Sequence, residues 1–251
     1  MIYTHANKKL GQHFLRNEKI CSIICSDFAK KAQSIIEVGP GKGVLTKKLA
    51  FLNLPIRVIE KDHRFKEILN TILPEDKIIW DNALDVNLNQ IFPDKQIWMV
   101  SNLPYNMATP LLIKFLKTSR ITMMTLMFQK EVGIKIIKTM GSLMALCNNY
   151  FICRPLIEVK AKDFSPPPKV DSLVVSFERK KNPQIPLAEF KSFESFLRKL
   201  FSQRRKQVIN TLNPYYKKEK ILKTLGDMQI DYKKRAETFD LDQIQQLYFK
   251  L

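Results

Sequence analysis

A loop with three glycines in five positions constrains the fold of this chain more than any other feature. Gly39-Pro40-Gly41-Lys42-Gly43 follows a short segment at 34–38 that is predicted to be a buried strand, and precedes a helical pattern that begins at Val44. A strand, a glycine loop and a helix in this order form a cradle for a nucleotide. Taken alone, the loop is also compatible with an ordinary tight turn.

The spacing of these glycines indicates which nucleotide cofactor fits. The dinucleotide fingerprint has two residues before its third glycine, which lets a pyrophosphate sit on the helix N-terminus, whereas this loop has one. A second predicted strand, at 56–60, ends in Glu60. An acidic residue roughly 20 positions after the glycines is placed to accept both ribose hydroxyls. S-adenosylmethionine has a ribose and no phosphate, and we therefore expect it as the cofactor.

A second segment, Asn102-Leu103-Pro104-Tyr105, indicates the reaction, because it follows the apolar run 97–100 at the predicted carboxyl end of a strand. The Asn102 side-chain oxygen and the Leu103 carbonyl can accept the two hydrogens of an exocyclic amine such as N6 of adenine, which draws its lone pair out of conjugation. Pro104 fixes the turn, and Tyr105 can stack on the base. The segment predicts methylation of an amino-heterocycle; an Asn-Pro turn without a function is the alternative.

The order of predicted elements indicates an α/β fold. We predict strands at 34–38, 56–60, 77–80, 96–101, 122–128, 151–159 and 173–179, most of them separated by helices. Such alternation is typical of a parallel sheet covered on both faces, with the last two strands forming an antiparallel edge. The active site is expected at the carboxyl ends of the strands. This describes a Rossmann-like S-adenosylmethionine-dependent methyltransferase domain over 1–180.

A polar, proline-containing linker at 180–186 separates this domain from a small all-helical domain predicted for 181–251. After the linker, apolar residues recur only at the spacing of helices. An apolar stripe is predicted to be the core of this second domain. Its members are Phe190, Phe193, Phe196, Leu197, Leu200 and Phe201.

The charge of the chain predicts a polyanionic partner. Its formal net charge is +18 with a pI near 9.7, a magnitude that favours nucleic-acid binding over a merely soluble basic surface. The predicted RNA-binding residues cluster at helical spacing in the second domain, where a solvated charged face is the alternative. They are Arg198, Lys199, Arg204, Arg205 and Lys206.

The remaining composition favours a cytoplasmic protein without a metal. The four cysteines lack the paired spacing and the histidines of a metal site, so we expect free thiols in a reducing compartment. The chain starts without the apolar stretch of a signal peptide, and no run is long enough to span a membrane. We also expect a monomer.

Seven motifs in order make the chain resemble the rRNA adenine N6-dimethyltransferase family, specifically its bacterial small-subunit branch. The resemblance runs nearly end to end. The motifs are Gly11-Gln12-His13-Phe14-Leu15, 37–43, 102–106, 128–132, 164–172, Gln203-Arg204-Arg205-Lys206 and Arg235-Ala236-Glu237.

This resemblance implies the dimethylation of two adjacent adenines in a stem-loop near the 3′ end of small-subunit rRNA, within an immature ribosomal subunit. The implied cofactor contacts fall on His13, Leu15, Gly39, Glu60, Asn82 and Asn102, with Gly41 in the same loop. Phe164 falls where an aromatic residue helps to hold the flipped base. His13 stands where Asn is frequent; a positioning role is expected for it, because no metal-ligand or base partner is near in sequence.

Asn82 stands where relatives carry the Asp that receives the amino group of the cofactor adenine. We expect its side-chain oxygen to accept the same hydrogen bond, and Asn82→Asp to bind the cofactor at least as well. Two other functions remain open at this stage. One is methylation of large-subunit rRNA by the antibiotic-resistance relatives, which usually carry Ile in place of Leu103. The other is a non-catalytic RNA-binding assembly factor, against which the intact Asn102 to Tyr105 segment argues.

Overall fold

The structure is a computed structural model that describes residues 6–7, 11–203 and 205–251. Its strands are β1 (Phe14–Leu15), β2 (Ser34–Val38), β3 (Ile56–Ile59), β4 (Ile78–Ile79), β5 (Ile97–Asn102), β6 (Ile121–Gln129), β7 (Phe151–Val159), β8 (Phe164–Ser165) and β9 (Ser172–Arg179). Its helices are α1 (Glu18–Ser26), α2 (Val44–Ala50), α3 (Lys66–Asn70), α4 (Leu88–Ile91), α5 (Ala108–Lys117), α6 (Lys130–Ile137), α7 (Ser142–Tyr150), α8 (Phe190–Leu200), α9 (Val208–Leu212), α10 (Lys218–Asp227) and α11 (Leu241–Lys250).

The main sheet has seven strands in the order β4-β3-β2-β5-β6-β9-β7. The pairs from β4 through β6 are parallel, and β9 runs antiparallel to β6. The predicted parallel sheet with an antiparallel strand near its edge is therefore confirmed. The central strand β2 is buried along its whole length, including its two polar residues, Ser34 and Glu37.

Strand order reverses between β2 and β5, because β3 and β4 follow on one side of β2 and β6 follows on the other side of β5. In open α/β sheets, ligands bind outside the carboxyl ends of the strands at such a switch point. The glycine loop leaves β2 there, and β5 ends there at Asn102. The Ser101 hydroxyl donates to the Val38 carbonyl at 2.6 Å, which ties the two strand ends together.

Contacts between Cα atoms divide the chain into two compact units. The first comprises Met1–Gly133 and Cys153–Arg179, and the second comprises Ile134–Ile152 and Lys180–Leu251. This grouping differs from the predicted domains at 134–152, which the sequence had assigned to the catalytic domain. Among the described residues, no helix is long and apolar enough to cross a membrane.

A buried amide explains why 134–152 groups with the later helices. Asn149 is fully buried, and its side chain bonds both backbone groups of Ile185, at 3.0 and 3.1 Å. It also accepts a hydrogen bond from the Gln245 side chain at 2.9 Å. Because an unpaired buried amide is costly, these bonds fix α7 against two distant parts of the second unit. In the predicted core stripe, all residues but the half-buried Phe201 are buried.

Candidate active site

A cavity opens at the switch point of the first unit, at the carboxyl ends of β2, β3 and β5. The space between its walls is about 1180 Å³ when open solvent is included, and its lining combines apolar side chains with a few polar groups, as small-molecule sites do. All of the predicted cofactor-binding residues line this cavity. They are His13, Leu15, Gly39, Gly41, Glu60, Asn82 and Asn102. Leu103, Pro104 and Tyr105 line it as well.

The glycine loop brings bare backbone to the cavity. Gly39, Gly41 and Gly43 have φ values of 67°, 53° and 72°, a region that side chains disfavour. A Cβ atom added at Gly41 would lie 3.0 Å from the Phe14 ring. Glycine at position 41 therefore serves both its own conformation and the close approach of residue 14.

Glu60 lies directly after β3 and presents a buried carboxylate to the cavity. One of its oxygens accepts the Gly41 N–H at 3.0 Å, and the other accepts the Asp62 N–H at 2.9 Å. Burial raises the pKa of Glu60, while these backbone hydrogen bonds oppose the shift. Each carboxylate oxygen has a second lone pair, so Glu60 retains two acceptor sites for a pair of hydroxyl groups.

The orientation of the Asn102 amide follows from its hydrogen bond. Asn102 Nδ2 donates to the His13 carbonyl at 2.9 Å. A carbonyl can be bonded only by a donor, so the NH2 end is committed to His13 and the Oδ1 end remains as an acceptor. This is the end of the amide that the sequence prediction required toward an exocyclic amine.

Tyr105 is held by contacts at both ends of its side chain. Its hydroxyl lies 2.6 Å from Ser172 Oγ, and its ring stacks against His13 with centroids 5.7 Å apart. Burial raises the pKa of Tyr105, so the phenol stays neutral. The backbone turn is closed by the Met107 N–H, which donates to the Pro104 carbonyl at 2.9 Å.

Residues 11–15, here called the N-terminal strap, cover the cavity. The strap is fixed by side-chain contacts that its sequence did not reveal. The Gln12 amide donates to Asp62 Oδ2 at 2.8 Å, and His13 Nδ1 bonds the Pro166 carbonyl at 2.8 Å. The Phe14 ring packs edge-on against Phe65 and lies under the Lys42 ammonium, 4.9 Å from its centroid.

Asp62 joins the strap to Glu60 and was not predicted as a site residue. Its carboxylate binds Arg64 at 2.6 and 2.9 Å as well as Gln12. The bonds from Arg64, followed by that from Gln12, lower the pKa of Asp62 to about 2, against the effect of burial. The Asp62 N–H also donates to the Glu60 carboxylate. Two hydrogen bonds, one on each side of Asp62, therefore link Gln12 of the strap to Glu60. Gln12 and Asp62 are 50 positions apart, and no local pattern links them.

Asn82 lines the cavity, but its amide is already engaged. Nδ2 donates to Asp85 Oδ2 at 2.8 Å, and Oδ1 accepts the Leu84 N–H at 3.2 Å. One lone pair of Oδ1 remains available to a ligand. The Nδ2 contact argues against the expectation that Asn82→Asp binds at least as well, because a carboxylate at position 82 would face that of Asp85. The neighbouring Asp81 also lines the cavity, and sequence reasoning missed it.

Glu37 is a second buried carboxyl group at the cavity, and it was not predicted as a site residue. The Thr46 hydroxyl donates to its Oε2 at 2.7 Å. Burial raises the pKa of Glu37 to about 8, with Thr46 opposing the shift. Burial therefore favours the neutral, protonated form of Glu37.

Phe164 does not occupy the position that was predicted for it. Its side chain is 2% exposed and belongs to the core of the first unit, and it is not among the residues that line the cavity. β8 instead pairs Phe164 with Leu15 in an antiparallel ladder. The structure thus gives Phe164 a role in fixing the strap and does not place it against a base.

The predicted RNA-binding cluster in the second unit is not one helical row, because α8 ends at Leu200. Arg198 pairs with Glu194 at 3.3 Å, and Lys199 lies over two tyrosine rings. Arg205 and Lys206 are exposed beyond the helix. Arg204 lies outside the described residues.

Comparisons with known proteins show the family of the chain. The family model described as Ribosomal RNA adenine dimethylase matches residues 3–248. The chain is similar to proteins named Ribosomal RNA small subunit methyltransferase A. It is 34% identical to that of Malacoplasma penetrans (98% of this chain, 90% of the relative) and 35% identical to that of Flavobacterium johnsoniae (95% and 92%).

Two solved structures share the fold over nearly the whole chain. A dimethyladenosine transferase from Plasmodium falciparum superposes with a TM-score of 0.76 at 25% identity, covering 94% of this chain and 96% of its own. The 23S rRNA methyltransferase ErmE gives a TM-score of 0.73 at 22% identity, covering 95% and 99%. At that identity, the likeness to ErmE shows the fold alone.

Proposed function

The chain belongs to the ribosomal RNA adenine dimethylase family, and from this we propose that it dimethylates N6 of two adjacent adenines near the 3′ end of small-subunit rRNA. The similar proteins from Malacoplasma and Flavobacterium, both named for the small subunit, support this choice of RNA. The observation that carries the chemistry is the Asn102 amide, which lines the cavity and whose oxygen has no hydrogen-bond donor among the described residues.

S-adenosylmethionine is the cofactor of this family, and the cavity fits it. Glu60 keeps two acceptor sites for a pair of hydroxyls, and bare glycine backbone lies beside it. Asp81 and Asn82 offer acceptors for an adenine amino group, and the strap supplies apolar cover through Phe14 and Leu15. When bound, S-adenosylmethionine would supply a sulfonium methyl group that an amine nitrogen can attack, the carbon–sulfur bond breaking and the sulfur leaving as a neutral thioether.

The chain's own residues prepare the adenine amine. Asn102 Oδ1 and the Leu103 carbonyl accept its two hydrogens, which favours a pyramidal nitrogen with an available lone pair. Tyr105 provides a ring for stacking of a base taken out of the RNA stack. The methylated nitrogen can lose its extra proton to water, so no side chain is required as a general base. The residues act by positioning and by hydrogen bonding.

The assembly state of the ribosomal subunit and the working form of the protein belong to the same proposal. We take the RNA within an immature small subunit as the partner and a cytoplasmic monomer as the working form. The charge of +18 supports a polyanionic partner of that kind.

Transfer of labelled methyl groups to undermethylated small subunits tests the proposal. Mapping of the labelled nucleotides is expected to find N6,N6-dimethyladenosine at two adjacent positions near the 3′ end. Naked large-subunit RNA in a parallel reaction is expected to remain unlabelled. Label on large-subunit RNA alone would support the resistance-type activity, and label on neither RNA would support a non-catalytic assembly factor.

A further inference from the structure

A groove in the second unit combines aromatic rings with cations and has no part in the chemistry described above. It lies between α8 and α11 and is called the α8–α11 groove; its lining includes Lys191, Ser195, Lys199, Tyr216 and Phe249. Phe249 is 53% exposed although it has no polar group. A large apolar ring that faces solvent inside a groove indicates an interaction surface.

Lys199 is held in place at this groove by two rings. Its Nζ lies 5.1 Å from the ring centroid of Tyr215 and 5.8 Å from that of Tyr216, both within cation–π distance. The lysine is half-buried, and no carboxylate pairs with it among the described residues. Its positive charge is thus fixed in position and remains available to an anion.

The lysine side chains that line the groove, Lys191 and Lys199, outnumber its acidic side chains by two to one. Glu189 is the one carboxylate side chain among the lining residues, and it accepts a hydrogen bond from the Tyr248 hydroxyl at 2.9 Å. The Leu251 backbone oxygen accepts from Lys220 at 2.6 Å. Residues 180–251 carry 16 lysines and arginines against 8 aspartates and glutamates, a net charge of +8. The groove therefore favours a partner that is flat, partly apolar and anionic.

We propose that the α8–α11 groove binds an unpaired nucleotide of the RNA, with the base stacked on Phe249 and the backbone phosphate on Lys199 and Lys191. A base offers a planar face to the ring and a phosphate to the ammonium groups. A paired stem keeps its base faces stacked inside the helix, so the groove selects a single-stranded segment. This inference rests on the proposed function, because it assumes that RNA is the substrate.

Binding of a fluorescent single-stranded RNA oligonucleotide by the full chain, compared with a blunt RNA duplex of the same length, tests the groove. Phe249→Ala is expected to weaken single-strand binding roughly 5- to 100-fold, the effect of losing one stacked base, and to leave duplex binding within about twofold. Phe249→Tyr keeps an aromatic face and is expected to retain the wild-type affinity. Phe51→Ala is the matched control, since Phe51 is 85% exposed in the first unit and does not line this groove.

Unchanged single-strand affinity in Phe249→Ala would overturn the proposal, as would an equal loss on single strand and duplex. A loss in Phe249→Tyr as large as in Phe249→Ala would do the same, because stacking would then not be the cause. The readout is binding and requires no methyl transfer. Failure of the methylation proposal would leave the difference between Phe249→Ala and Phe51→Ala intact, so the two failures can be told apart.

Discussion

At the scale of single residues, Asn82 shows how a neighbour decides the effect of a substitution. Its Nδ2 donates to Asp85 at 2.8 Å, and a carboxylate at position 82 would place two like charges in that contact. Binding that needs the present turn must overcome this repulsion, about 1 kcal/mol in a well-hydrated site, so Asn82→Asp is expected to weaken cofactor binding by up to roughly fivefold. Calorimetric titration with S-adenosylmethionine measures this change.

The double variant Asn82→Asp with Asp85→Asn exchanges the two side chains, so that one amide can again donate to one carboxylate in this turn. It is expected to recover most of the lost affinity, and Asp85→Asn alone serves as its control. Tighter binding by Asn82→Asp alone would mean that Asp85 does not govern the turn.

Glu37 predicts a dependence of stability on pH. Its pKa is raised from 4.5 to about 8 in the folded protein, so the folded state keeps a proton that the unfolded chain has released. The free energy of unfolding therefore decreases as pH rises from about 4.5 to 8. Glu37→Gln removes this titration while its amide oxygen can still accept from Thr46.

Urea unfolding at pH 5 and pH 8 checks this sign. The stability of Glu37→Gln relative to the wild type is expected to increase between the two pH values. Glu67→Gln, at an exposed position, is expected to show no such increase. An equal difference at both pH values would mean that Glu37 titrates near its ordinary pKa.

At the scale of elements, the N-terminal strap predicts a separation of cofactor affinity from chemistry. Gln12→Ala removes the bond to Asp62 and with it one of the anchors that hold the strap over the cavity. One hydrogen bond contributes about 1 kcal/mol, so the KM for S-adenosylmethionine is expected to rise roughly fivefold. The value of kcat should stay within about twofold, because Asn102 retains its own bond to His13.

Steady-state kinetics with varied cofactor measure both constants. Gln90→Ala, at an exposed position outside the cavity, is the control and should leave them unchanged. A lower kcat with an unchanged KM in Gln12→Ala would contradict the role of the strap.

The strap also shows which elements the sequence could not predict. The seven strands of the main sheet are predicted within two residues of their observed ends, because apolar runs mark buried strands. β1 and β8 have two residues each, which is too short for any period. Their pairing joins segments about 150 positions apart, as the partners Phe14 and Ser165 show. Contacts of that kind are set by tertiary packing and leave no local pattern.

The end of α8 is a second example. Arg204, Arg205 and Lys206 continue a run of polar and basic residues after Leu200, and the sequence offered no proline or glycine to stop the helix. The structure ends the helix at Leu200, where the apolar stripe of buried residues also ends. Packing therefore determined the boundary, and helix propensity alone extended it too far.

At the scale of the whole molecule, charge predicts the salt dependence of RNA binding. A protein with a net charge of +18 that neutralises about five phosphates should lose roughly two to three decades of affinity between 50 and 200 mM salt. Filter binding of small-subunit rRNA over this range measures the slope. A flat response would mean that the basic surface does not contact the RNA.

The sequence located the cavity residues that follow strands, but it did not identify the residues that hold them in place. Glu60 and Asn102 follow apolar strands directly, so their place at the cavity could be inferred from the chain alone. Asp62 and Gln12 act through bonds across 50 positions, and Phe164 was assigned from resemblance without knowledge of its burial. Residues that hold others in place therefore required the structure.

The central claim is that Asn102 activates the adenine amine through its free oxygen, and the single-turnover rate of Asn102→Ala tests it most directly. At saturating cofactor and RNA, the rate is expected to fall by roughly two to three decades, the effect of removing one transition-state hydrogen bond. Gln12→Ala, which loosens the strap but keeps Asn102, should react at nearly the wild-type rate under the same conditions. A near-normal rate in Asn102→Ala would contradict the claim.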